Sequence, residues 1–198
     1  MRLILVRHGE TEENVAKISQ GHMPGKLTKK GTEQAKKVAL RLKDEKIDKI
    51  FVSDLKRCVD TAAEIIKFHP KAEVIYEPAV REQNFGIFEG KPYGSMTKAA
   101  EAAGINPYEL KPEGGESFSE FRKRVVTFIE QLIKKEHDKT ILIVSHGGPI
   151  RHFLLHYLKV PKEKWPEYVH ENCAVTILEI DEKGHKIISF KCTKHIKA

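Results

Sequence analysis

The chain opens on Met1-Arg2-Leu3-Ile4-Leu5-Val6-Arg7-His8-Gly9-Glu10-Thr11, and the reading of residues 3 to 6 decides the fold. Four aliphatic residues in a row, bounded by Arg2 and Arg7, lack the polar alternation of a strand with one wet face. They read as a short strand covered on both sides, the habit of a parallel sheet between two helical layers. Similar runs recur at residues 50 to 52, 74 to 76 and 141 to 144. Helical patterns lie between them. Residues 31 to 46 place Ala35, Val38, Ala39 and Leu42 on one face, with Lys, Glu and Arg opposite. From Ser117 onward, Phe118, Phe121, Val125, Phe128, Ile129, Leu132 and Ile133 keep helical spacing, and Ser117 with Glu120 makes a capping-box pattern. The alternation predicts an α/β fold, a three-layer α/β/α sandwich with a mostly parallel sheet. Residues 174 to 180, a turn at 181 to 184 and residues 186 to 190 predict an antiparallel hairpin at the sheet edge. Residues 85 to 116, rich in Gly and Pro, are expected to form a short cap or rim over a ligand site. With no linker, repeat or low-complexity tract, one domain is expected over residues 1 to 198.

Composition narrows the function classes. Hydrophobic residues make up 40% of the 198 and charged residues 32%, which supplies both a core and a soluble surface. The 35 Lys plus Arg exceed the 28 Asp plus Glu, for a formal charge of +7. The lysines are interspersed with acids along helical stretches, as on a solvated face, so no nucleic-acid partner is expected. No apolar run approaches the ~20 residues that span a bilayer, and Arg7 interrupts the first one too early for a signal peptide. Cys58, Cys173 and Cys192 show neither a disulfide framework nor zinc-ligand spacing. A cytoplasmic, reducing setting is the expectation, with no membrane partner.

Chemistry concentrates where the strands end. Arg7 and His8 follow the first strand directly, at the carboxyl edge where open α/β sheets place their ligand crevice. The strand at 141 to 144 ends likewise in Ser145-His146-Gly147-Gly148-Pro149, with Pro149 suited to the first position of a helix whose free N–H groups face an anion. The strand at 50 to 52 runs into Ser53-Asp54-Leu55-Lys56-Arg57, so Arg57 opens a helix at the same edge. Two guanidiniums, two imidazoles and helix N-termini thus converge. Arginine forks match phosphate oxygens in pairs, which a lysine cannot do, and the site is expected to take a phosphoryl group.

Arg7-His8-Gly9-Glu10-Thr11, with Asn14 and Gln20-Gly21 beyond it, resembles the signature of the histidine phosphatase superfamily, phosphoglycerate mutase-like branch. The resemblance continues in order through Leu27-Thr28, Gly31, Gln34-Ala35, Ser53-Asp54-Leu55 with Arg57, and Thr61-Ala62. Further on come Arg81-Glu82, Phe85-Gly86, Glu89-Gly90, Gly114-Gly115-Glu116-Ser117 and Ser145-His146-Gly147-Gly148. It implies a metal-independent phosphomonoester hydrolase with no cofactor, acting on a small phosphorylated substrate. By the resemblance His8 is the nucleophile that becomes phosphohistidine, and Arg7, Arg57 and His146 hold the phosphoryl oxygens. Asn14 adds a hydrogen bond, Gln20, Gly21 and Gly147 complete the substrate-binding set, and Glu82 is the proton donor to the leaving oxygen. Glu89 competes for that last role, although its Phe-Glu-Gly setting suits loop shaping better.

Other residues invite readings of their own. His152 and His156 stand four residues apart, as zinc ligands do on a helix, but without the H-E-x-x-H glutamate a structural role fits better. Residues 86 to 91 resemble a phosphate loop only faintly, since Pro92 stands where a Ser or Thr is needed. Ser145 lacks the preceding Gly of an esterase nucleophile. Cys58 is either a thiolate favoured by Arg57 or a buried, inert side chain. Lys26, Lys29 and Lys30 read as solvated surface or as contacts to a second anionic group. The short cap and the stretch from Arg81 to Gly86 favour hydrolase over phosphoglycerate mutase, and the complete site favours either over a non-catalytic phosphate-binding module. Oligomeric state is not legible.

Overall fold

A computed structural model describes residues 1 to 197. Six strands run through it: β1 (Arg2–Arg7), β2 (Lys49–Val52), β3 (Glu73–Tyr76), β4 (Thr140–Ser145), β5 (Val175–Asp181) and β6 (Gly184–Cys192). The helices are α1 (Glu12–Val15), α2 (Lys29–Leu42), α3 (Lys56–Ile66), α4 (Ser95–Ala102), α5 (Phe118–Lys135), α6 (Gly147–Tyr157) and α7 (Lys194–Lys197). The strands form one sheet in the order β3-β2-β4-β1-β5-β6. β3, β2, β4 and β1 pair in parallel, while β5 joins β1 and β6 joins β5 antiparallel. This is the mostly parallel sheet with an antiparallel edge that the sequence predicts.

The opening tetrapeptide explains the layering. Leu3, Ile4, Leu5 and Val6 are all 0% exposed, yet by the two-residue period of a strand they serve different cores. Ile4 and Val6 join Val38 and Leu42 of α2, Cys58 and Ile65 of α3, and Ile196 of α7. Leu3 and Leu5 join Phe121, Val125 and Ile129 of α5 and Phe153 of α6. With β1 between β4 and β5, the chain leaving β1 crosses one face of the sheet and the chain leaving β4 crosses the other. The crevice between the ends of β1 and β4 is therefore a topological switch point.

Local signals account for the helix starts. Ser117 and Glu120 form the capping box at α5 that the sequence predicts, and the Thr28 side chain caps α2 by accepting from Gly31 N–H at 2.9 Å. Helix α2 thus begins two residues before Gly31 and ends at Leu42 rather than at residue 46. Pro149 is the third residue of α6, not the first. A proline is tolerated there because no N–H of a first helical turn has an intrahelical partner.

Two glycines fix the exit of β1 against α2. A Cβ on Gly9 would lie 2.5 Å from the Gly31 carbonyl oxygen, and one on Gly31 would lie 2.0 Å from the Glu10 carbonyl oxygen. Both clashes are with backbone, which can yield only by moving the His8 loop. Gly31→Ala should therefore lower the stability by about 1–3 kcal/mol, despite the ~1 kcal/mol that Ala gains over Gly in a helix. Chemical denaturation measures the balance, and a stabilised variant would show that the loop does not need this close approach.

Candidate active site

The carboxyl ends of β1 and β4 carry His8 and His146 side by side, with ring centroids 5.2 Å apart. His8 is 3% exposed. Its Nδ1 lies 2.7 Å from the Gly9 carbonyl oxygen, and a carbonyl only accepts, so Nδ1 carries the proton and Nε2 keeps a lone pair. Gly9 N–H is anchored in turn on Thr61 Oγ1 at 3.0 Å. Burial, then Arg57 and Arg7, hold the His8 ring well below its ordinary pKa. The ring is neutral, which a nucleophile requires.

Arg57, second residue of α3, is 1% exposed. Its Nη1 donates to Met23 O at 2.6 Å, its Nη2 to Gly21 O at 2.8 Å and its Nε to His146 Nδ1 at 3.1 Å. Since His146 Nδ1 accepts, Nε2 must carry the proton, and it meets Ser53 Oγ at 2.7 Å. His146 is fully buried, and desolvation with the Arg57 charge holds it neutral. Arg7 donates through Nη1 to His170 O at 2.6 Å, and its buried Nε has no partner. Among the described residues neither arginine forms an ion pair.

Glu82 enters from the loop after β3. One carboxylate oxygen accepts from Gly148 N–H at 3.1 Å and the other from Gln83 N–H at 3.0 Å. One of the free N–H groups expected to meet an anion at the start of α6 is thus taken by this carboxylate. A Cβ on Gly148 would come within 2.0 Å of Glu82 Oε1, so the glycine makes room for the acid. Arg124 of α5 clamps the loop, donating to the carbonyls of Ala79 at 2.9 Å, Arg81 at 3.1 Å and Glu82 at 3.2 Å while pairing with Glu116. Glu89 accepts from His22 N–H at 2.7 Å and Phe85 N–H at 3.3 Å, which ties two loops together.

The cleft between these groups has a volume of about 360 Å³. Of the residues expected from the sequence, Arg7, His8, Asn14, Gln20, Gly21, Arg57, Glu82 and Gly147 lie on its wall, whereas His146 sits behind Arg57. Tyr93, Arg151 and His152 also line it, and no pattern in the sequence marks them as doing so. Asn172 is equally unannounced. Its Nδ2 donates to His8 O at 3.0 Å and to Asn14 Oδ1 at 3.1 Å, a contact between residues over 150 positions apart. Lys26 and Lys30 pair with Glu12 and Glu10, and neither lines the cleft. His156 pairs with Glu130 rather than with His152, and no group of three potential metal ligands occurs among the described residues. No described helix is long and apolar enough to cross a membrane.

Known proteins share this architecture. The family model described as Histidine phosphatase superfamily (branch 1) matches residues 3–193. A broad-specificity phosphatase of Saccharomyces cerevisiae is 35% identical over 196 residues, which cover 95% of this chain and 83% of the relative. The crystal structure of the α-ribazole phosphatase from Shigella flexneri superposes with a TM-score of 0.85 at 31% identity, covering 97% of this chain and 96% of that one. Phosphoserine phosphatase from Entamoeba histolytica, in complex with 3-phosphoglyceric acid, gives a TM-score of 0.82 at 29% identity over 98% of both chains.

Two outcomes follow from burial. Cys58 is fully buried, and desolvation pushes its thiol up to about 12 despite the adjacent Arg57. Of its two sequence readings, the inert one matches this environment. Alkylation of the folded protein at pH 8, read by peptide mass spectrometry, should spare Cys58 and Cys173 while labelling the part-exposed Cys192; rapid labelling of Cys58 would contradict it. The rings of His8, His69, His146, His152, His170 and His195 are all held below 6.5, with burial the largest cause in each. Below pH 6.5 the unfolded chain takes up protons that the folded one refuses, so stability falls with pH, by about 1.4 kcal/mol per pH unit for each such proton. Thermal melts should drop between pH 7.5 and 5.5, before the carboxylates titrate, and a flat profile would refute the neutral-ring assignment.

Proposed function

Because the chain belongs to branch 1 of the histidine phosphatase superfamily and is a phosphatase of that family, we propose that it hydrolyses the monoester of a small phosphorylated metabolite through a phosphohistidine on His8, with no metal ion. The observation that carries this reading is a neutral imidazole whose Nδ1 is tied to Gly9 O, leaving Nε2 free beside two arginines that form no ion pair among the described residues. The remaining donors of Arg7 and Arg57 match phosphoryl oxygens, on which charge spreads in the loose transition state. His146 contributes by holding Arg57, through a ring fixed by Ser53.

Transfer takes place in two steps. Nε2 of His8 attacks phosphorus as the ester P–O bond breaks, and Glu82 gives its proton to the departing alkoxide. The Glu82 carboxylate then takes a proton from a water, which attacks the phosphorus and breaks the P–N bond. Phosphate leaves, and His8 is neutral again. Two guanidiniums beside one carboxylate form a donor set that repels a divalent cation, which supports the metal-independent reading. Of residues 85 to 116, Phe85 and Tyr93 reach the cleft wall. So slight a cover admits the water that hydrolysis needs and favours hydrolase over mutase.

Phosphate release from an aryl phosphate should proceed in the presence of chelator and fall by at least ~10³-fold in His8→Ala. Glu82→Gln should slow alkyl phosphates by about 10²–10⁴-fold and leave activated aryl esters much less affected, because a good leaving group needs no proton. Activity that survives His8→Ala would remove the phosphohistidine, and equal losses on both ester classes would remove Glu82 as the acid.

A further inference from the structure

Three consecutive residues, Gly21, His22 and Met23, touch both the phosphoryl-binding arginine and the proton donor. The carbonyls of Gly21 and Met23 accept from Arg57 Nη2 at 2.8 Å and Nη1 at 2.6 Å. His22 stands between them in the chain, and its Nε2 lies 3.0 Å from the carbonyl oxygen of Glu82. A carbonyl only accepts, so Nε2 carries a proton and donates it. His22 N–H donates in turn to Glu89 Oε1 at 2.7 Å. Gly21 sits in the left-handed region at φ 52°, and a Cβ there would come within 2.1 Å of the same Oε1. The main chain around His22 is thus held by Arg57 before and after it and by Glu89 at its own N–H, which aims the ring at the Glu82 peptide.

Glu82 needs such a support, because it lies outside every helix and strand. Its carbonyl is met at 3.2 Å by Arg124 and at 3.0 Å by His22. Arg124 ties it to α5, whereas His22 ties it to the partners of Arg57. His22 does not line the cleft, so whatever it contributes passes through Glu82. Arg57 serves the phosphoryl oxygens and Glu82 the ester oxygen on the same phosphorus, so the spacing of the two side chains has to match the breaking P–O bond. A misplacement of ~1 Å in such geometry costs on the order of 10²-fold in rate. We propose that His22 is a positioning residue that sets the proton donor Glu82 at its working distance from Arg57, joining the acid to the phosphoryl cradle through one side-chain hydrogen bond.

The inference rests on Glu82 being the acid, and its test separates the two. The fastest of the ethyl, propyl and butyl phosphates, whose leaving groups need a proton, is assayed beside para-nitrophenyl phosphate, whose leaving group does not. In His22→Ala, kcat/KM on the alkyl ester should fall by about tenfold or more, while the aryl ester loses less than about threefold. His22→Gln, whose side-chain amide offers an N–H at similar reach, should restore the alkyl ester to within about threefold of wild type. In a Glu82→Gln background, His22→Ala should cost no more than about twofold further, since the proton donor it positions is already gone. Thermal melts check folding, and if His22→Ala does not fold, His22→Leu takes its place. Equal losses on the two esters overturn the inference, because His22 would then act through Arg57 or the fold at large. An unchanged His22→Ala, a His22→Gln no better than His22→Ala, or a full further loss in the Glu82→Gln background overturns it too, while Glu82 stands as the acid. If Glu82→Gln itself slows both esters equally, or wild type hydrolyses neither, the acid reading falls and the inference with it.

Discussion

Arg57 is a guanidinium at 1% exposure with no carboxylate hydrogen-bonded to it among the described residues, and the rest of the crevice is arranged to tolerate it. A buried charge is costly unless its donors are met, and these donors are met by the carbonyls of Gly21 and Met23 and by the ring of His146. Those partners come from the loop after α1 and from the end of β4, so a single side chain ties together segments that lie 34 to 36 residues before it and 89 residues after it. A carboxylate would have compensated the charge more directly. It would also have cancelled the positive field that an anionic ligand needs.

Burial, reinforced by the same field, sets the protonation of the histidines. Desolvation first and the two arginines second keep His8 and His146 neutral, and backbone and side-chain partners then choose the tautomer of each. Gly9 O fixes the proton of His8 on Nδ1, and Arg57 Nε forces that of His146 onto Nε2. One ring is left with a free lone pair facing the cleft, and the other becomes a support. The acid comes from a third direction, on a loop that has no regular structure around Glu82 and is held instead by the Arg124 clamp and by Gly148 N–H.

Sheet topology supplies the rigidity on which this precision depends. β1 and β4 are adjacent, parallel and in register from Arg2 with Thr140 to Arg7 with Ser145. The residues after them therefore emerge together, and helices on opposite faces leave a gap between the strand ends. Irregular loops carry Gln20, Gly21 and Glu82, and hydrogen bonds from Arg57 to Gly21 and Met23, and from Arg124 and Gly148 to Glu82, pin these loops to the regular frame.

Much of this arrangement is legible in the order of the amino acids. The unbroken apolar run of residues 3 to 6 determined a doubly covered strand, the Ser117 and Glu120 pair determined where α5 starts, and the ends of three strands determined that Arg7, His8, Arg57 and His146 would gather at one edge. Those conclusions follow from local periodicity and from the chain's own direction. Only the tertiary structure decided that His146 stands behind Arg57, that Glu82 rests on Gly148, that Asn172 reaches back to His8, and that Arg151 Nε and His152 Nδ1 are buried with no hydrogen-bond partner among the described residues. Partnership and desolvation depend on distances between residues remote in the chain, and no local pattern of residue types encodes those distances.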